Sequence, residues 1–568
     1  MKNKIILIST WLFVTASYFL ISCNSDTDHT TIAKDSLSIA HGQSLFMQHC
    51  SGCHNFKQDG IGPDLSGLTD SVDLKWIQKF IKNPKQLIDS GDKRAEKLFK
   101  KYQTVMPSFL AIKENELNNI IAFMHTKKKT VKKRQVSDPN ALKNPVPAKI
   151  EVSDVVVALD LVTQIPSSNK EPPLARIVKM DIEPHTGSLF ILDLRGKLFK
   201  LEKDLPSIYF DMATYKSDFI HQPGLGSGFG SFAFHPSFAN NGLLYTTHTE
   251  RANSKQADFA FDDSIKVTLQ WVITEWKTQQ PDAFPFSGTG RELFRVNMVA
   301  GLHGVQDISF NPIAKPGSED YGLLYIGIGD GGAVENGHAD LVHSVDRIWG
   351  TILRIDPAGR NSVNRQYGIP PQNPFSQRGI SALGEIYAYG FRNPNRLTWL
   401  KSGGMLATNI GHAHIESVNI IRKGHNYGWP IREGTFALHP GKDLNNIYLL
   451  PSDDSVFNIT YPVIQYDHDE GKAIAGGYEY TGTAVSTLRG KYLFGDIVNG
   501  RLFYSETAHM KQGRQSPVKE WQITMNGKRA SLRDICGNKR VDLRFGRDKK
   551  GEMYVFTKAD GKVYRLRR

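Results

Sequence analysis

Cys50-Ser51-Gly52-Cys53-His54 sets two thiols two residues apart and follows them at once with an imidazole. Covalent attachment of a c-type haem requires that spacing. The thiols add across the two vinyl groups of one porphyrin, the short spacer keeps both sulfurs on one side of the ring, and His54 falls under the iron as an axial ligand. A zinc half-site would need a second ligand pair, and none is near. A redox dithiol would need a βαβ context, which is missing. The flanks suit haem. Gly42 to His49 reads as a short amphipathic helix with Leu45 and Phe46 inward and Met47 in the core. The loop of Gly60, Gly62 and Pro63 can pass a carbonyl to the other nitrogen of His54 and fix the ring. Met106-Pro107-Ser108-Phe109 offers a thioether as second axial ligand. Leu117, Ile120, Ile121, Phe123 and Met124 recur at helical spacing between Glu116 and His125.

This arrangement resembles class I cytochrome c domains over residues 39–126. Haem c is then bound through Cys50 and Cys53, with His54 and Met106 on the iron.

The elements around this centre divide the chain. At 568 residues it exceeds one ordinary domain, and at 40 % hydrophobic it can bury sizeable cores. With four cysteines, two of them claimed by haem, disulfide staples play no part. The net charge of +13 is not arranged for nucleic acid. Part of it is a run, Lys127 to Lys129 with Lys132, Lys133 and Arg134, that reads as solvated linker, or alternatively as a contact with anionic headgroups. Lys2 and Lys4 precede an apolar stretch from Ile5 to Ile21 that ends in Leu20-Ile21-Ser22-Cys23, the pattern of a secretory signal. The cysteine at the cut resembles a bacterial lipoprotein signal. Residues 1–22 are then removed, Cys23 carries lipid, and residues 23–38 form a flexible tether. An uncleaved membrane anchor is the alternative. Either way the chain is held at the cell envelope, facing the periplasm or exterior. A basic, proline-bearing linker spans 127–150.

From residue 151 to 568 short alternating apolar runs are cut by Gly, Asn and Asp, an all-β texture. A loose unit of strand, turn and Gly-x-Leu/Met-Tyr/Phe recurs at Met180–Leu201, Phe232–Thr247, Ile308–Asp330 with Gly350–Ile355, Leu397–Ile410, Gly476–Phe503 and Leu543–Leu566. Repeats of this kind argue for a β-propeller, here of six blades, rather than one very large sandwich or barrel. The expected fold class is therefore multidomain: a small all-α cytochrome c domain followed by an all-β six-bladed β-propeller.

Four motifs occur in order: Phe234-His235-Pro236, Tyr325-Ile326-Gly327-Ile328-Gly329-Asp330-Gly331-Gly332, Tyr389-Gly390-Phe391-Arg392-Asn393-Pro394 and Asn426-Tyr427-Gly428-Trp429-Pro430. Together they resemble the soluble glucose/sorbosone dehydrogenases, also called aldose sugar dehydrogenases. The resemblance implies pyrroloquinoline quinone (PQQ) over the central channel, with calcium. It places Arg392 and Asn393 on the quinone, since a tricarboxylate suits guanidinium forks. It gives His303 the substrate hydroxyl proton and Asp330 the task of orienting that histidine. Calcium would polarise the quinone oxygens, held by backbone carbonyls at positions matching Gly411 and His412. Lys472 and Arg501 are further candidates for the carboxylates. His235 is expected to be structural, and Asp330 also suits a turn that caps its own backbone. Three positions depart from the family: Gly226, Asp307 and Ile410.

The function expected is a quinohaemoprotein that oxidises a sugar (aldose) or related alcohol and hands electrons through its haem to a downstream cytochrome or oxidase. The rival readings are a PQQ-free propeller that binds a ligand or glycan beside an electron-transfer cytochrome, and an enzyme using calcium without quinone.

Overall fold

The computed structural model describes residues 32–51, 54–56, 62–102, 105–129, 138–377, 381–440 and 443–568. The expectations for the signal segment, for Cys23, Cys53 and Gly60, and for Lys132 to Arg134 fall outside these residues, as does the side chain of Met47.

Among the described residues, six helices form the N-terminal unit. The first, Ser36–His49, starts earlier than apolar periodicity suggests, because the Asp35 carboxylate accepts from Ser38 N at 2.8 Å and caps it. It crosses the last, Glu114–His125, in backbone contact. A Cβ on Gly42 would lie 1.8 Å from Asn119 O, so only glycine fits there. The crossing buries Leu45, Phe46, Leu117, Ile120, Ile121, Phe123 and Met124, with the Phe46 ring 4.7 Å from Phe56 and 5.4 Å from Phe123. Each such side chain contributes about 1.5–3 kcal/mol of transfer free energy. Lys127 and Lys128, expected as linker, complete this unit. Lys127 O accepts from Gly67 N at 2.8 Å, and Lys128 Nζ pairs with Asp70 at 2.8 Å. Nor is the rest of the linker loose from Asp138 onward. Leu142 N donates to Ile447 O at 2.8 Å and Val146 N to Asp467 Oδ2 at 3.2 Å, which lays this stretch along the β unit.

The large unit is mostly β. Four antiparallel sheets of four strands follow in chain order, with first strands Ile177–Ile182, Phe229–Phe234, Val305–Phe310 and Pro394–Trp399. A three-stranded sheet, Arg432–Glu433, Phe436–His439 and Asp443–Tyr448, is inserted before the fourth sheet's last strand, Ile464–Asp467. A nine-stranded sheet holds the rest. Within it Glu151–Gln164 pairs antiparallel with the C-terminal strand Lys562–Arg567 and parallel with Lys519–Met525, so the two ends of the β unit are stitched together.

The four first strands named above, with Ile474–Glu479 and Leu543–Arg547, run around a central channel. Each packs on the next and the last on the first. Every repeat read from the sequence begins on one of these strands. Aromatic side chains fill the space between sheets, as where Phe190, Tyr209, Phe210, Phe232, Phe234, Trp276 and Phe286 cluster.

Asp307 lies in this channel. Its carboxylate accepts from Lys179 Nζ at 2.9 Å, Arg396 Nη1 at 3.1 Å and Leu397 N at 2.8 Å, all buried. Burial opposes its charge, yet Arg396 and Lys179 hold its carboxyl below the usual range. The position read as a departure from the family is thus the anion of an ion-paired plug that ties three inner strands together.

Candidate haem crevice and cofactor recess

Cys50, His54 and Met106 line one crevice of the helical unit, among Leu65, Ile77, Phe80, Ile81 and Leu98. Pro63 O lies 2.9 Å from His54 Nδ1. A carbonyl only accepts, so Nδ1 carries the proton and Nε2 is left for iron. A Cβ on Gly62 would stand 2.3 Å from His54 Cε1, so this glycine is what lets the loop approach the ring. An apolar crevice with an imidazole and a thioether on its wall is the donor set that haem iron takes.

The second site is a recess at one end of the channel. His303, Arg392, Asn393, Gly411, His412 and Lys472 line it together. His303 is buried, with φ +46°. Its Nδ1 lies 2.8 Å from Asp330 Oδ1. Gly331 and Gly332, at φ +62° and +71°, let the turn after strand Leu324–Ile328 fold under the histidine. Within it Gly331 N donates to His303 O at 3.2 Å. Asp330 Oδ1 also accepts from Gly332 N at 2.9 Å, so this aspartate both caps its own turn and orients the ring. Its Oδ2 accepts from Trp429 Nε1 at 3.0 Å. The chain of contacts from Trp429 through Asp330 to His303 directs the histidine's Nε2 away from its supports, as proton transfer requires.

Arg392 donates to Glu335 and to the Gly411 carbonyl, and its guanidinium sits 5.7 Å from the Trp429 ring centroid. Beside it Glu433 Oε1 accepts from four successive amides, His412 to Ile415, at 2.7–3.2 Å, which clamps the turn carrying Gly411. Arg392 Nε, Asn393 Oδ1 and His412 Nε2 are buried without partners.

Two expectations need correction. Arg501 does not line the recess; Glu470 and Glu520 hold its guanidinium at 2.6 and 2.7 Å. The Gly411 carbonyl assigned to calcium is taken by Arg392, and a divalent cation there would face a guanidinium. Among the described residues no group of three or more His, Cys, Asp or Glu could hold a metal. Calcium therefore does not fit at the Gly411 carbonyl. Gly226 and Ile410 line the recess with Gln306 nearby, whose Nε2 donates to Gly226 O at 3.3 Å. His235 is structural: its Nδ1 accepts from Ser237 N at 3.0 Å.

A tricarboxylate does fit. The lining holds Arg176, Arg392, Arg396, Lys472, Arg540, Arg544 and Lys558 against one acid, Asp542. Burial pushes the Arg176 and Arg544 guanidinia down to about 10. Burial and the neighbouring Arg544 drive the Lys558 amine well below its usual value. Cations destabilised in this way, beside unpartnered polar atoms, call for an anion.

A glucose/sorbosone dehydrogenase family model matches residues 182–565, and a cytochrome c model matches 39–128. The chain belongs to the glucose/sorbosone dehydrogenase family. It carries an N-terminal cytochrome c domain, which implies haem c. HIPL2 protein of Arabidopsis thaliana is 29 % identical over 330 residues, covering 50 % of this chain and 45 % of that one. Quinoprotein glucose dehydrogenase B of Acinetobacter calcoaceticus is 26 % identical over 251 residues, 41 % and 46 % of the two chains. The chain spans about half the length of the curated relatives it matches. The crystal structure of the soluble aldose sugar dehydrogenase from Escherichia coli in its apo-form superposes with a TM-score of 0.50 at 16 % identity, over 72 % of this chain and 99 % of that one, which shows a shared propeller-like fold.

Within this dehydrogenase-family unit, sequence reading misses Arg176, Arg540, Arg544 and Lys558. Arg176 precedes the inner strand Ile177–Ile182, Arg540 precedes and Arg544 belongs to the inner strand Leu543–Arg547, and Lys558 follows Met553–Thr557, the strand paired with it. An isolated basic residue at a strand end carries no signal until the channel closes.

Proposed function

We propose that the chain is a quinohaemoprotein dehydrogenase that oxidises a sugar (aldose) or related alcohol and passes the electrons through its own haem to a respiratory acceptor. The observation that carries this is His303 backed by Asp330 and Trp429, at the edge of a recess whose charged lining residues are all basic but Asp542. Arg392, Asn393, Lys472, Arg544 and Lys558 would hold the carboxylates and carbonyls of PQQ. When bound, PQQ supplies a quinone carbonyl that accepts hydride from the substrate carbon. His303 Nε2 removes the hydroxyl proton, and Asp330 stabilises the imidazolium that results. Arg392 is kept charged and aimed by Glu335.

In this reading the six four-stranded units around the channel are six blades, and the haem is attached through Cys50 and Cys53. Cys23 bears the lipid that holds the chain at the cell envelope, facing the periplasm or exterior. Purified full-length protein given PQQ and then an aldose should show the absorbance changes of haem reduction. Sugar binding without haem reduction, at any PQQ concentration, overturns the enzyme and leaves a sugar-binding propeller.

A further inference from the structure

The two cavities meet at one wall. The haem crevice is bounded by cytochrome residues and also by Leu225 and Arg540 of the β unit. The same two residues line the recess that holds His303 and Arg392. Next to them Lys539 reaches across to the cytochrome. Its Nζ lies 3.5 Å from Asp89 Oδ1 and 5.0 Å from the ring centroid of Phe99, and Phe99 itself lines the haem crevice. Arg540 is fixed from its own side, where Asp542 Oδ1 lies 3.1 Å from Nε and 3.0 Å from Nη2. Within four residues, then, one lysine grips the cytochrome, one arginine faces both cavities, and one aspartate holds that arginine.

We infer that the cytochrome domain docks over the mouth of the recess, and that Leu225 and Arg540 form the wall through which electrons leave the sugar-oxidising site for the haem. The electron route rests on the dehydrogenase reading above; the docking does not. Oxidation of one CH–OH to a carbonyl releases two electrons and two protons. Haem takes one electron at a time, Fe(III) to Fe(II). Each substrate therefore needs two transfers across this wall, with a ferric one-electron acceptor re-oxidising the haem between them, while protons leave to solvent by way of His303. One exposed ion pair is weak and screened by salt. The covalent connection between the domains keeps the local concentration high enough for such a contact to form repeatedly.

The test uses the full chain. A zero-length carbodiimide at low ionic strength should join Asp89 to Lys539 within one molecule, detected as a linked peptide by mass spectrometry, and high salt should suppress the product. In Lys539→Glu, sugar-driven haem reduction should fall roughly tenfold or more, since the interdomain linker alone must then supply the encounter. Sugar-driven reduction of a small dye that takes electrons directly from the recess should stay unchanged. Asp89→Lys combined with Lys539→Glu should restore haem reduction. Absence of the crosslink overturns the docking, whether or not any sugar is oxidised. A crosslink with unchanged haem reduction in Lys539→Glu overturns the route through this wall but spares the dehydrogenase reading. A crosslink without dye reduction in the wild type overturns that reading and the electron route, and leaves the docking standing.

Discussion

The carboxylate of Glu335 sits between Arg392 and His412: it accepts from Arg392 Nη2 and lies 2.9 Å from His412 Nδ1. Burial opposes its charge, but Arg392 and then His412 hold its carboxyl well below the usual range. One anion thereby orients two of the residues that line the recess, and the motif that supplies Arg392 does not contain it.

Glu335→Gln should destabilise the β unit by about 3–5 kcal/mol, because Arg392 is left buried without its counter-ion. The folded pKa of Glu335 is below its unfolded value, so its contribution is complete above about pH 4.5 and is lost as the pH falls towards the folded value. Thermal melts between about pH 3 and pH 7 should show a shallower acid limb in the variant than in the wild type. An identical acid limb would assign the acid sensitivity to other carboxylates.

His303→Ala should lower sugar turnover about 10²–10⁴-fold while PQQ still binds, since the cofactor's carboxylates do not depend on that ring. Asp330→Asn should also cut turnover, because an amide oxygen kept on Trp429 leaves an NH2 group facing His303 Nδ1 and the Gly332 N–H in place of the acceptor they now share. Arg392→Ala should weaken PQQ binding instead, with partial recovery at excess cofactor. Cofactor titration by fluorescence, run beside steady-state kinetics, separates the three. Full sugar-dependent haem reduction in His303→Ala would remove the histidine from the chemistry.

Lys558 supplies a thermodynamic signature that needs no turnover. Burial and Arg544 lower its pKa in the free protein, and a bound carboxylate raises it again. At a pH above that lowered value PQQ binding should therefore take up protons, read by calorimetry as a binding heat that changes with buffer ionisation enthalpy. Affinity should fall as the pH rises through the lowered value, because the free recess then loses a charge. Lys558→Met should abolish the proton uptake and weaken binding by about 1.5–3 kcal/mol, the range for a charge-assisted hydrogen bond. Proton uptake that persists in the variant would assign it elsewhere.

Met106→Ala should remove the weak near-infrared band of a sulfur–iron bond. Gly62→Ala should act from the opposite side. Its Cβ would lie 2.3 Å from the His54 ring, so either the loop or the ring must move. Haem content should fall, or the His54 bond should weaken and the midpoint potential shift, with the β unit's melting unchanged. Normal haem content and potential in Gly62→Ala would mean the loop yields freely.

Chemistry that is local along the chain is legible without a structure. The Cys50–His54 spacing is a short-range fact of bond length and ring size, so order in the chain already implies position on one porphyrin, and the Pro63 carbonyl that holds the His54 ring lies only nine residues on. Strand texture is equally local, and each repeat begins on an inner strand. The recess is different. Arg176, Arg540, Arg544 and Lys558 share it with Arg392 only because the ring of inner strands closes and brings strand ends hundreds of residues apart to one mouth. That closure also gave Arg501 to Glu470 and Glu520, turned Asp307 into the plug of the channel, placed Glu335 under Arg392, and set the Gly411 carbonyl against a guanidinium instead of a metal. Charges buried together must find partners, and which partners they find depends on three-dimensional neighbours that no spacing along the chain specifies.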